Sequence, residues 1–207
     1  MINNLKPLFY YLFPLLVFSS CSNEMVIELP EKTTSSTSDA TANSPAITYL
    51  IKAGSHETTN PFKLLRKSQV RFVVTFDSSA VYRSKDTDNQ ADINKLYGMS
   101  DFNTFHQTNS ARFGWRWYNN RLELMAYSYK NGVNSSDFIT ALELNKPYTC
   151  TLTLSDQKYI YQVEGQTTSV EQSRRGSGIA SGYQLYPYFG GDETAPHDVR
   201  IKIQELP

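Results

Sequence analysis

Histidine and cysteine are scarce in this chain, with three and two among 207 residues. His56, His106 and His197 share no ligand spacing such as HxxxH, and two cysteines exclude a Cys-rich zinc module. No GxSxG stretch supplies the strained serine elbow of a Ser-His-Asp hydrolase. Charge of one sign is lacking too: 20 Lys and Arg stand against 20 Asp and Glu. Nucleic-acid binders show a basic patch or a basic domain, so no nucleic-acid partner is expected. The apolar run Leu8–Phe18 is about half of the roughly 20 residues that a spanning helix requires. No helical spacing persists beyond two turns, and no internal repeat marks a propeller or solenoid.

What is present begins with that short run. It comes after a single charge, Lys6, and closes on two small residues, Ser19 and Ser20, immediately before Cys21. A small-residue gate after an apolar core suits a signal peptidase, and the cysteine next to it resembles a bacterial lipobox. The expectation is a leader over residues 1–20 and lipidation at Cys21, with several acyl chains holding the protein at a membrane surface rather than within it. Ser22 is not the Asp that retains enterobacterial lipoproteins at the inner membrane, so that analogy favours the outer membrane. Loss of residues 1–20 removes only Lys6, leaving 19 basic and 20 acidic residues. From Ser22 to about Pro45 the chain is rich in Ser, Thr and Asn, too poor in apolar surface to offset its ordering entropy. Residues 21–46 therefore read as acylated cysteine plus tether, reaching roughly 25–30 Å on average.

Residues 47–207 carry a period of two. Val70, Phe72, Val74 and Phe76 alternate with Gln69, Arg71, Val73 and Thr75, and Val199, Ile201 and Ile203 alternate with Arg200, Lys202 and Gln204. Two hairpins can be registered. A type I′ turn at Asn119-Asn120, where Asn tolerates positive φ, pairs Trp117 with Leu122, Trp115 with Leu124 and Phe113 with Ala126 on one face. The same register sets Arg116 against Glu123 and Arg112 against Tyr127 on the other. A turn at Asp156-Gln157 pairs Leu154 with Tyr159, Leu152 with Tyr161 and Cys150 with Val163, and one at Gly165-Gln166 brings Val170 beside Tyr161. Cys150 reads as a buried free thiol. Hairpins with one apolar face each need a second sheet to cover them. The fold class is all-β, a two-sheet antiparallel sandwich of jelly-roll or concanavalin-like kind.

The sheet face opposite Trp115 and Trp117 is expected to stay available outside. It carries Arg112, Arg116, Glu123, Tyr127 and Tyr129, with Gly114 in the row as a candidate point of close approach by ligand or backbone. Tyr186 and Tyr188 alternate on a further segment that Pro187 restricts to an edge or bulge. Tyrosine rings beside arginines suit sugar rings and protein partners alike, so Arg112, Arg116, Tyr127, Tyr129, Tyr186 and Tyr188 are the candidate ligand-binding residues. An ordinary outer face with an Arg116–Glu123 ion pair is the competing reading. Candidates for catalysis are His106 or Tyr188 as base and Arg112 as neutraliser of a substrate carboxylate. No metal site is expected: His197 and Asp198 are adjacent, and Asp86, Asp88 and Asp92 fail the EF-hand pattern, with Ala91 where Gly is needed and Tyr97 where Glu is needed. No cofactor is expected, an irregular calcium loop over the three aspartates being the one alternative kept open.

The runs Asn89–Asp101, Asn109–Trp117, Ala126–Gly132 and Tyr186–His197, with His106 between them, resemble a group of Bacteroidetes lipoproteins. That resemblance spans nearly the whole folded body. It implies a Gram-negative cell envelope and a concanavalin-like or jelly-roll sandwich, and carries no activity over. A looser resemblance to alginate-lyase-type jelly rolls offers Arg112, His106, Gln107 and Tyr188 for the roles of Arg, His, Gln and Tyr on a concave sheet. Three functions are expected from these readings: glycan binding by an anchored envelope protein, uronate cleavage by a polysaccharide lyase, and an adhesin or envelope assembly subunit with a protein partner. The membrane is touched through the lipid anchor alone.

Overall fold

The computed structural model describes residues 44–207; the leader, Cys21 and most of the tether lie outside them. Twelve strands succeed one another: β1 (Ile47–Ile51), β2 (Leu64–Lys67), β3 (Gln69–Phe76), β4 (Asn94–Ser100), β5 (Ser110–Tyr118), β6 (Arg121–Lys130), β7 (Val133–Leu142), β8 (Tyr148–Ser155), β9 (Lys158–Val163), β10 (Val170–Ser173), β11 (Ala180–Leu185) and β12 (Val199–Leu206). They form two six-stranded antiparallel sheets, ordered β1-β12-β3-β8-β9-β10 and β2-β11-β4-β5-β6-β7. The protein is an all-β sandwich.

Alternation decides which side each strand buries. In β3, Val70, Phe72, Val74 and Phe76 are inside, and in β12 Val199, Ile201 and Ile203 are. The sheets meet ring to ring: Phe72 packs edge-on against Phe113 at 5.6 Å, and Phe76 lies 5.2 Å from Trp115. Each fully buried ring of this kind contributes about 1.5–3 kcal/mol. Cys150 is buried and free among them, and burial raises its thiol pKa well above the ordinary range.

Both expected hairpins form in the expected register. Asn119 and Asn120 hold φ of 51° and 56°, the backbone a type I′ turn demands. Trp117 faces Leu122, Trp115 faces Leu124, and Arg112 faces Tyr127. Leu154 opposes Tyr159, Leu152 opposes Tyr161, Cys150 opposes Val163, and Val170 opposes Tyr161.

The period of two breaks in β4. Its pairing with β5 shifts between Lys95 and Gly98, so an extra residue of β4 bulges there. Leu96 and Tyr97 are consecutive yet both buried in the core, and the alternation restarts beyond them. A bulge re-aims the side chains beside it. Here it leaves Lys95 on the non-core face of the sheet, opposite Gly114.

The opposite end of the sandwich is locked by a buried ion pair. Arg174, just past β10, donates from Nε to Asp101 Oδ2 at 2.7 Å and from Nη1 to the carbonyls of Ser155 and Gly178 at 2.9 and 2.8 Å. Tyr159 donates to the same carboxylate at 3.0 Å. Both partners of the ion pair have fully buried side chains.

Candidate functional site

The non-core face of β4, β5 and β6 is not left bare. The expectation of an open outer face is corrected here: Arg112 is 7 % exposed, Tyr127 8 % and Glu123 1 %. Glu123 lies under Arg116 and Arg121, which both pair with it, and the chain after β11 lines the face around Arg112 and Tyr127. Past Pro187 the chain regains the ladder beside β4, Tyr188 meeting Lys95 in the same register that sets Gln184 against Met99 and Leu185 against Gly98. Tyr188 forms isolated bridges to Glu57 and Lys95, with Lys95 N–H donating to Tyr188 O at 2.8 Å and Tyr188 N–H to Lys95 O at 3.0 Å. The His56 ring stacks on Tyr188 at 5.1 Å and 12°. The segments Glu57–Phe62 and Gly190–Asp192 line the space on that face, so the sheet is the floor of a cleft of about 790 Å³.

The β5–β6 register builds that floor. Arg112 and Tyr127 are direct cross-strand neighbours, and Ser110 with Tyr129 are the next outward pair. The two tyrosine rings meet edge to face at 5.9 Å. Lys95 Nζ and Arg112 Cζ both lie against the Tyr127 ring, at 5.4 and 5.6 Å from its centre. Such contacts favour the cations modestly. Burial does the reverse: it lowers the Lys95 pKa to about 8, with the nearby Arg112 charge adding to the effect and Asp92 and Asp192 opposing it. Burial likewise brings Arg112 down to about 10, which leaves it charged at neutral pH. Tyr127 is pushed well up by burial and by its contact with Tyr129, so its hydroxyl stays protonated and able to donate.

His106 sits at the same cleft beside Tyr183. Its backbone N–H donates to the Tyr183 hydroxyl at 3.0 Å, and its Nδ1 lies 3.0 Å from the same oxygen. With the Tyr183 hydroxyl donating to Nδ1, neutral His106 carries its own ring proton on Nε2. Burial, then the Arg112 charge, lowers the His106 pKa, consistent with the neutral ring.

Of the candidates named from sequence, Arg112, His106, Tyr127, Tyr129, Tyr186 and Tyr188 all line this one cleft, and Gln107 lines it with them. Arg116 does not. Its Nε donates to Glu123 at 2.8 Å and its Nη1 to the Ala91 carbonyl at 2.7 Å, the ion pair of the competing reading. Tyr186 is shared with the core, its ring 5.9 Å from Tyr49 and 6.0 Å from Tyr97. Gly114 has a packing reason: the Ile93 side chain occupies the space a Cβ would take, so no ligand approach is needed to explain it. Lys95, Tyr183 and Asn60 also belong to the cleft, and the sequence pattern does not single them out. The bulge at Lys95 and the Gly-rich surroundings of Tyr183 mask two of them, and no periodicity reaches Asn60.

The acidic loops act inside the fold. Asp86 accepts from Asp88 N–H at 3.0 Å, and Glu193 takes the backbone N–H groups of Lys85 and Asp86, each at 2.8 Å. His197 Nε2 meets Ser79 O at 2.9 Å, and Asp198 accepts from Ala53 N–H at 3.0 Å. Among the described residues no three His, Cys, Asp or Glu side chains gather as a metal site.

No family model and no curated protein matches the chain. Among solved structures it is similar to a galectin-1-L2 from "Dario rerio", at 9 % identity over 72 % of this chain and 99 % of that one, with a TM-score of 0.43. It is also similar to the alginate lyase AlyC3, at 10 % identity over 78 % and 72 %, TM-score 0.47. A carbohydrate-binding module, CBM66 from Bacillus subtilis, aligns at 9 % identity over 79 % and 94 %, TM-score 0.36.

Proposed function

We propose that this sandwich is a glycan-binding module, carried in the cell envelope on a lipid anchor at Cys21, at the outer membrane. One observation carries the glycan reading: Tyr127, Tyr129, Tyr183 and Tyr188 converge with Arg112, Lys95 and His106 in a single cleft. Flat rings offer apolar faces to the C–H side of a pyranose, while hydroxyls, a guanidinium and an ammonium supply directional donors to its oxygens. The cleft falls within the roughly 300–1,000 Å³ of small-ligand sites. Calorimetric titration of the full chain, held in a non-glycosidic detergent, against a panel of neutral and acidic polysaccharides tests it. Saturable binding that Tyr188→Ala weakens is the expected result, and absence of heat across the panel contradicts it. The anchor rests on the Leu8–Phe18 run, the Ser19-Ser20 gate and Cys21. Labelled palmitate should enter the chain and be lost in Cys21→Ala.

A second reading, cleavage of uronate polymers by β-elimination, is favoured by the contact of His106 Nδ1 with the Tyr183 hydroxyl at 3.0 Å in the cleft that also holds Arg112 and Tyr188. His106 would take the proton by way of the Tyr183 hydroxyl, which passes its own proton to Nδ1, or Tyr188 would take it, and Arg112 would neutralise the carboxylate. The unsaturated product absorbs in the ultraviolet, so a flat trace with alginate and polygalacturonate removes this reading and leaves binding.

A further inference from the structure

We infer that the cleft takes a sugar unit bearing an anionic group, carboxylate or sulfate, seated on Arg112 with Lys95 beside it; this deepens the glycan reading and rests on it. Arg112 is the clearest sign. Its side chain is buried on the cleft floor, its Nε has no acceptor, and among the described residues it forms no ion pair. A buried charge is ordinarily paired, because leaving it alone forfeits hydration without compensation. Lys95 is nearly as open to a partner: its ammonium donates to Gly190 O at 2.7 Å and reaches no carboxylate among the described residues.

The two cations share one ring, Tyr127, so each disfavours the other. Glu57 and Asp192 line the cleft, and neither comes within ion-pairing distance of Arg112 or Lys95. A neutral sugar would leave two desolvated charges facing each other. An anionic group would accept from both, the planar guanidinium offering two parallel donors to a carboxylate or sulfate, while the partly exposed Tyr129 and Tyr188 carry the ring. Burial lowers the pKa of both Lys95 and Arg112, and the Arg112 charge adds to the effect on Lys95.

Matched polymer pairs test this with the full chain: polygalacturonate against its methyl ester, and dextran sulfate against dextran. The acidic member of at least one pair should bind about ten times tighter or more than its neutral partner, and Arg112→Gln and Lys95→Gln should each cost that acidic ligand about ten- to a hundredfold. Which pair responds tells carboxylate from sulfate. Equal affinity within both pairs overturns the inference while leaving the glycan reading in place, as does an Arg112→Gln protein that keeps full acidic binding. Wild-type affinity falling with added salt is a readout free of any folding defect in the variants. Should no polymer bind, the glycan reading falls, and the anion site is judged separately by nitrogen NMR of the Arg112 Nε–H during titration with inorganic sulfate: a saturable shift keeps it, and no shift removes it.

Discussion

Two arginines are buried in this sandwich, and they are treated in opposite ways. Arg174 is held by a carboxylate and two carbonyls at one end. Arg112 stands on a cleft floor with a partnerless Nε and no ion pair among the described residues. Burying a charge costs several kcal/mol unless partners replace water. The fold meets that cost for Arg174 from within, since Asp101, Ser155 and Gly178 belong to segments that Arg174 then ties together. For Arg112 it does not, and the sandwich keeps the charge on a tyrosine-lined cleft floor. A charge that serves stability is completed by the protein, and a charge that serves recognition is left for a ligand to complete.

The largest expected effect breaks the complete side of that contrast. Asp101→Asn leaves the Arg174 guanidinium buried without a counter-charge and should cost about 3–5 kcal/mol of unfolding free energy, read by urea denaturation. An effect below about 1 kcal/mol would say that the pair adds no more than a surface salt bridge does. Gly114→Ala probes the sheet face that carries the cleft, beside it: its new methyl group meets Ile93 and should cost about 1–3 kcal/mol by overpacking. Because Gly114 lies opposite Lys95, any ligand affinity lost with it should be smaller than in Lys95→Gln. An unchanged melting temperature would show that Ile93 gives way freely.

The pH response sharpens the open side. Lys95 has its folded pKa lowered from 10.5 to about 8, so between those values the unfolded chain binds more protons and stability rises with pH. The penalty of burying the ammonium is fully present below pH 8 and is relieved above it. Affinity for an acidic glycan runs the other way, falling as pH passes about 8 and the ammonium deprotonates. Dissociation constants measured across this window should show that fall, and Lys95→Gln should flatten it. A slope that survives the substitution assigns the titration to another group.

The range of each interaction decides how much of the fold and the cleft is legible in the sequence. The Asn119-Asn120 and Asp156-Gln157 hairpins are legible because a turn fixes register between near neighbours, and a slip of one residue would exchange the Trp115 and Arg112 faces. The order of strands is not, since β1 joins β12 and β2 joins β11 across most of the chain. In the cleft, alternation yields Arg112, Tyr127 and Tyr129, and the Pro187 segment yields Tyr186 and Tyr188. Lys95 is hidden by the bulge that breaks the period of β4. Arg116 lies outside the cleft; alternation gives its face but not how far along that face the cleft reaches. Arg174, in a Gly-Ser loop, carries no sign that Asp101 meets it.

The most direct test of the contrast is urea unfolding of Arg112→Met beside Arg174→Met. Replacing an unpaired buried charge with an apolar side chain of similar reach should leave stability within about 1 kcal/mol or raise it, while Arg174→Met, which strands Asp101, should lose about 3–5 kcal/mol. Equal losses in the two variants would mean that Arg112 is built into the fold as Arg174 is, and that the cleft holds no charge waiting for a ligand.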